Sequence, residues 1–194
     1  MADPEMSLTM AFEQVLLSPE ELLTRSRANK SLYLPKGTKL RSVLEDGYME
    51  ASLGLREGCV VMLLRLEYEG DAVLAPSVLN ELRLQVAHRL QTVMSGRGAA
   101  GYLEEDDFVL VGTQGTLPVQ ALELAEEVQH SVRAPMVIDG QPFRVHGHVG
   151  VTFHEEERRG ASKLVARAFR AMSRSWSRES KGVAFSDPAR DPRN

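Results

Sequence analysis

The chain predicts an α+β fold, a central, mostly antiparallel sheet flanked by helices. Three observations carry that expectation: a continuous apolar run at 59–67 (CVVMLLRLE), apolar stripes with three-and-four spacing at 76–94, 118–132 and 161–176, and an Asp139-Gly140 pair between two short β-like runs. The order helix, strand, helix, hairpin, helix, hairpin, helix, strand mixes antiparallel pairs with helical crossovers, which argues against a purely parallel sheet.

Composition agrees. The 194 residues are 43% hydrophobic and 26% charged, enough apolar material for roughly one domain, which excludes fibres, mini-proteins and wholesale disorder. With 23 Lys+Arg against 27 Asp+Glu the chain lacks the broad positive field that non-specific nucleic-acid binding needs, so nucleic acid is not an expected partner. The single cysteine, Cys59, cannot close an internal disulfide, and its apolar neighbours predict a buried thiol in a reducing, cytoplasmic setting. The first apolar stretch has no basic start and is interrupted by Glu13, and no run approaches the roughly 18 apolar residues of a membrane span. Neither a secretory signal nor membrane insertion is expected.

Taken in order, residues 1–17 read as a flexible N-terminal segment, 18–187 as the domain and 188–194 as a disordered tail. Ser18-Pro19-Glu20-Glu21 starts a helix over about 19–27: serine caps free amides, proline suits the first turn and glutamate can answer back. A turn at Pro35-Lys36-Gly37 precedes a second amphipathic segment over about 40–53. The run 59–67 fits a central strand buried on both faces. Val78, Leu79, Leu82, Val86, Leu90 and Val93 place a helix over 76–94, ended by Gly96-Arg97-Gly98. Residues 99–103 and 108–112 then bracket four carboxylates, Glu104, Glu105, Asp106 and Asp107, as a hairpin with an acidic tip. A helix over 118–132 carries the stripe Val119, Leu122, Leu124, Ala125, Val128 and Val132, and Asp139-Gly140 joins strands at 136–138 and 143–153. The last helix, 161–176, buries Leu164, Val165, Ala168, Phe169, Met172 and Trp176, and 182–185 closes as a short strand.

Several groups carry candidate chemistry. The four-carboxylate turn is either a metal site or a solvated tip, and the tip is favoured because oxygen-rich sites also need ligands converging from elsewhere. His146 and His148 share one strand face and His154 follows, which makes zinc conceivable. Without a nearby cysteine or fourth ligand, a sheet-surface or helix-contact role is preferred. From 157 to 181 eight basic residues face two acidic ones, and Arg167, Arg170, Arg174 and Arg178 lie three or four apart. They predict one basic helical face, either solvated or docked on an acidic partner or anion.

Four local strings, in order and spacing, resemble a known family. Leu23-Thr24 followed by Asn29-Lys30, with Glu21 nearby, is similar to an opening motif Asp-x-Leu-Thr-Gly-Leu-x-Asn-Arg. Tyr102-Leu103-Glu104-Glu105-Asp106-Asp107-Phe108 stands where that family has Arg-Leu-Gly-Gly-Asp-Glu-Phe. Residues 145–151 (VHGHVGV) match a strand of the form Val-Thr-Val-Ser-Ile-Gly-Ile through Gly150, and 167–172 (RAFRAM) resembles Arg-Ala-Asp-x-Ala-Leu. Over about 19–186 the chain thus resembles the GGDEF domain of diguanylate cyclases. The resemblance implies a nucleotidyl-cyclase-like sheet with a ferredoxin-like core, and an ancestral reaction joining two GTP molecules with the help of metal ions.

The resemblance also implies which positions that chemistry needs, and this sequence departs from them together. Arg65 falls where the central strand offers a metal-binding aspartate, with Glu67 or Glu69 as substitutes only if the register slips. Glu104 and Glu105 replace the two glycines that let backbone approach nucleotide. Two carboxylates there repel a polyphosphate by about 1 kcal/mol per close pair in water and about 4 at an effective dielectric near 20. Asp106 and Asp107 keep the acidic character of the last positions before Phe108, Asp107 one methylene short of the usual glutamate. The guanine-reading pair falls near Asp71 and Asn80, and the phosphate-contacting lysine aligns with Trp176, with Lys181 displaced from it. The product-inhibition motif Arg-x-x-Asp aligns with 95–98 (SGRG) and loses both charges.

The expectation is a degenerate, catalytically inactive GGDEF-like domain with no catalytic residue, no metal and no cofactor, acting in bacterial cyclic di-GMP-related signalling by binding another signalling protein. The alternatives are a receptor for GTP or cyclic di-GMP at a remodelled site, and an active cyclase with relocated metal ligands. Sequence leaves the oligomeric state open.

Overall fold

The structure is a computed structural model, and it describes residues 44–47, 49–50, 53, 58–70, 73–104, 106–112, 118–153, 161–176 and 182–186. The expected helix at 19–27, the segments 1–17 and 188–194, and Asp71, Glu105, His154, Arg178 and Lys181 lie outside them, as does the side chain of Glu104. Of the expected segment 40–53, residues 44–47 and 49–50 are helical, and Leu44 is buried.

The apolar run forms β1 (Val60–Tyr68), the middle strand of a sheet ordered β2-β3-β1-β6-β7. Its neighbours are β3 (Asp107–Gly112) and β6 (Val145–Phe153), both antiparallel to it. β2 (Gly98–Glu104) pairs with β3 at one edge, and β7 (Val183–Phe185) runs parallel to β6 at the other. The mostly antiparallel sheet is therefore as the hairpin signals predict, with one parallel pair contributed by the last crossover.

Strand alternation divides the core in two. Val60, Met62, Leu64 and Leu66 face α1 (Pro76–Met94) and α2 (Pro118–Arg133), while Val61 and Leu63 face α3 (Ala161–Arg174) and Leu44. Cys59 is fully buried, as its neighbours imply. Gly150 lets α3 lie directly on β6: a Cβ there would stand 2.0 Å from the Ala168 carbonyl oxygen and 2.2 Å from the Met172 amide.

Asp139-Gly140 forms the expected tight turn, with φ of 49° and 77°, between β4 (Met136–Ile138) and β5 (Gln141–Phe143). The strand expected over 143–153 is in fact divided at Arg144. Its first residue pairs within the small hairpin, a separate two-stranded sheet, and the rest joins the main sheet as β6.

Two helical stripes differ from expectation. On α2 the buried residues are Ala121, Leu124, Ala125, Val128, Gln129 and Val132, while Val119 and Leu122 face outward. Small Ala121 takes the position facing the sheet, and the larger apolar residues beside it turn away. On α3, Trp176 is not core but 48% exposed. The helix ends at Arg174, the Ser175 amide bonds back to the carbonyls of Ala171 (3.1 Å) and Met172 (3.0 Å), and Ser175 takes the buried place.

Arg89 of α1 ties the end of α2 in place. Its guanidinium donates to the carbonyls of Ser131 (2.9 Å), Ala134 (2.5 Å) and Pro135 (2.9 Å), satisfying acceptors that a helix C-terminus leaves open. Burial pulls its pKa down, so the bonds hold a partly desolvated cation. Arg89→Met is expected to cost about 2 kcal/mol, the range for charge-assisted bonds reduced for partial exposure. Urea denaturation should show a lower midpoint at unchanged slope. Arg89→Lys should recover only part of the loss, because a point charge cannot fork across three carbonyls.

Candidate functional site: the acidic hairpin and the end of β1

The tip between β2 and β3 is a short turn in which Glu104 pairs across to Asp107. Its two described carboxylates, Asp106 and Asp107, are each held by an arginine. The β1–β3 register sets Arg65 opposite Asp107, with no slip toward Glu67 or Glu69. Arg65 donates from Nε to Asp107 Oδ1 and from Nη2 to Oδ2, both at 2.6 Å, a fork that engages both oxygens of a side chain only 9% exposed.

Asp106 is held from the other face of the sheet. Arg83 of α1 donates from Nε to Asp106 Oδ1 at 2.9 Å, and the Tyr68 hydroxyl donates to the same oxygen. The Leu66 amide also donates to the Asp106 carbonyl at 3.0 Å, joining the tip to β1 through backbone. Burial, reinforced by Asp106, pushes the Tyr68 pKa up, so this hydroxyl stays a donor. Burial works against the charge of Arg83, but the bond and field of Asp106, with Tyr68, outweigh it and raise its pKa.

Tyr68 and Arg83 are absent from the expected site residues. Arg83 follows buried Leu82 on the border of the α1 stripe, and a cation at such a border is ordinarily solvated. Nothing in its spacing ties it to a hairpin 23 residues further on.

The donor set does not fit a divalent cation at the Arg65 position. A guanidinium stands where the resemblance implies an anion, and both Asp107 oxygens already accept from it. Among the described residues no three His, Cys, Asp or Glu side chains converge as a metal site. Phe108 is fully buried and meets Tyr102 edge-on, so it is a core residue that positions the tip.

The remaining expected positions are scattered. Asn80 is exposed on the first turns of α1. Arg97 pairs with Glu127 of α2, an exposed pair worth about 0–1 kcal/mol. Glu67 meets His148 instead of the hairpin, its Oε2 lying 2.7 Å from Nε2, and Trp176 stacks on His148 with ring centroids 4.3 Å apart. The histidine is thus in helix contact. The basic face of α3 is not a solvated stripe: Arg167 is buried, and half-buried Arg174 donates to the Phe185 carbonyl at 3.0 Å. The Arg174 guanidinium reaches β7 because α3 packs closely at Gly150, leaving its flank near that strand.

No helix among the described residues is long and apolar enough to cross a membrane. A sensory box/GGDEF family protein from Caulobacter crescentus superposes with a TM-score of 0.63 at 25% identity, over 70% of this chain and 88% of that one. The diguanylate cyclase SiaD from Pseudomonas aeruginosa, solved in complex with its activator SiaC, gives 0.63 at 19% identity over 94% and 77%, a likeness of fold. An uncharacterized signaling protein of Caulobacter vibrioides is 32% identical over 94 residues, 48% of this chain but 12% of that protein's length. Residues 77–181 match the family described as diguanylate cyclase, GGDEF domain, and with its sheet order and hairpin in place this chain belongs to the GGDEF family.

Proposed function

We propose that this domain is catalytically silent and acts by binding another signalling protein in cyclic di-GMP-related regulation in the cytoplasm, its working unit spanning residues 18–187. The observation that carries the reading is the Arg65 fork on Asp107. Phosphoryl transfer needs an electropositive centre held by carboxylates and an open approach for the triphosphate. Here the carboxylates at the two signature positions are neutralised by the chain's own arginines, from both faces of the sheet. Glu104 and Glu105 add charge of the wrong sign where backbone should meet nucleotide.

Binding is then the property left to the fold. The uncharacterized signaling relative supports a signalling context, and the pinned tip offers a partner an ordered surface without a ligand. Incubation with GTP and Mg²⁺ or Mn²⁺ should yield no cyclic di-GMP by chromatography, and accumulation of product would end the silent reading. Calorimetry with GTP and with cyclic di-GMP should show no heat of binding. Micromolar affinity for either would make the domain a nucleotide receptor instead.

A further inference from the structure

α2 turns part of its apolar surface away from the core. Val119 is 59% and Leu122 39% exposed, while the same helix buries Ala121, Ala125 and Gln129 against the sheet. The hydrophobic effect favours the larger side chains inside, and an apolar residue exposed singly needs no explanation. Two of them three residues apart on one helix are neighbours and make a stripe. Val73, Val137 and Trp176 are also exposed, but each stands on a different segment of the fold.

The stripe runs on into charge of one sign. Glu123 and Glu126 follow Val119 and Leu122 at a spacing of four, both are exposed, and neither pairs with a cation among the described residues. Glu127 beside them is turned onto Arg97, so the outward face keeps two uncompensated carboxylates directly beyond its apolar pair. Such a face complements a segment of the inverse pattern, with apolar side chains at i and i+3 or i+4 and lysine or arginine flanking them.

We propose that the outer face of α2, formed by Val119, Leu122, Glu123 and Glu126, is a docking surface for a basic amphipathic helix of a partner protein. The proposal rests on the reading that the domain acts by binding, and its surface shares no residue with the pinned hairpin. The two apolar side chains supply the buried contact, and the carboxylates select the partner's charge and set its register along α2. Charge argues against a second copy as the occupant, because a two-fold contact would gather both pairs of carboxylates into one interface.

The probe is a fluorescein-labelled, amidated peptide of about 18 residues with leucine along one helical face and lysine on the rest, titrated with the whole chain and read by anisotropy. Saturable one-to-one binding that weakens as salt is added is the expected result. A peptide of the same composition with its leucines dispersed around the helix should bind about tenfold more weakly. Leu122→Ser should weaken binding of the patterned peptide about tenfold, and Glu123→Gln with Glu126→Gln about three- to fivefold. Val137→Ser, which removes a more exposed apolar side chain from β4, should leave it unchanged. Leu122 faces outward, so its substitution should keep the fold, which circular dichroism of each variant verifies. Absence of saturable binding, equal affinity for the two peptides, or undiminished affinity in folded Leu122→Ser would overturn the site. Sedimentation of the chain alone supplies a further outcome: self-association that Leu122→Ser abolishes would make a second copy the occupant and overturn the partner. None of these readouts involves nucleotide, so formation of cyclic di-GMP from GTP would end the silent reading and leave the docking surface standing.

Discussion

Gly150→Ala is expected to lower stability by about 3 kcal/mol, at the upper end of the cost of overpacking a tight core. The added carbon would stand 2.0 Å from the Ala168 carbonyl oxygen and 2.2 Å from the Met172 amide, and both belong to the α3 backbone. Backbone cannot rotate aside, so the helix must lift from β6 as a body, separating Val61 and Leu63 from Leu164, Val165 and Met172. Gly147→Ala is the matched comparison. Its new carbon would meet Leu64 Cδ1 at 2.7 Å, the far end of a flexible side chain, so the cost should stay near 1 kcal/mol. In thermal melts the first variant should fall by about 6–12 °C and the second by a few degrees. Equal melting temperatures would mean that α3 is not seated on Gly150.

Where hydrophobic period decides structure, the sequence was legible. Residues 59–67, 76–94 and 118–132 become β1, α1 and α2 within a residue or so, because apolar spacing and bounding Pro or Gly act locally. Arg144 divides an apparently continuous strand because its two parts find different partners, which no local pattern records. Trp176 leaves the α3 stripe for a similar reason: Ser175 closes the helix with bonds to two carbonyls, and the next residue is carried onto His148.

The site was legible in part. The position of Arg65 follows from counting along β1, and the hairpin follows from four carboxylates between two apolar runs. That Asp106 would be held by Tyr68 and Arg83 does not follow, because those residues meet only when the strand end, the helix and the hairpin are packed together. The buried state of Arg167 was hidden likewise. Helical spacing aligns Arg167, Arg170 and Arg174 along one side of α3 but says nothing of how closely β6 approaches it.

Removing the Arg65 guanidinium should expose how far the hairpin depends on it. Arg65→Met leaves the Asp107 carboxylate buried without its fork, and a broken buried pair costs about 3–5 kcal/mol. Because the Arg65 side chain is 36% exposed, water can reach that end of the pair, and about 2–3 kcal/mol is the expected loss. Asp107→Asn should cost less, since the arginine can turn to solvent. The double variant should be less damaged than the sum of the two, with a coupling of at least about 1 kcal/mol by urea denaturation. Arg65→Asp carries the argument further. It sets two carboxylates opposite each other on β1 and β3, so the metal-free variant should be the least stable of the set. Mn²⁺ should raise its melting temperature in proportion to occupancy while leaving the natural chain unmoved. If Mn²⁺ stabilised the natural chain equally, the guanidinium would not be standing in the place of a metal, and the proposed silence of the domain would lose its main support.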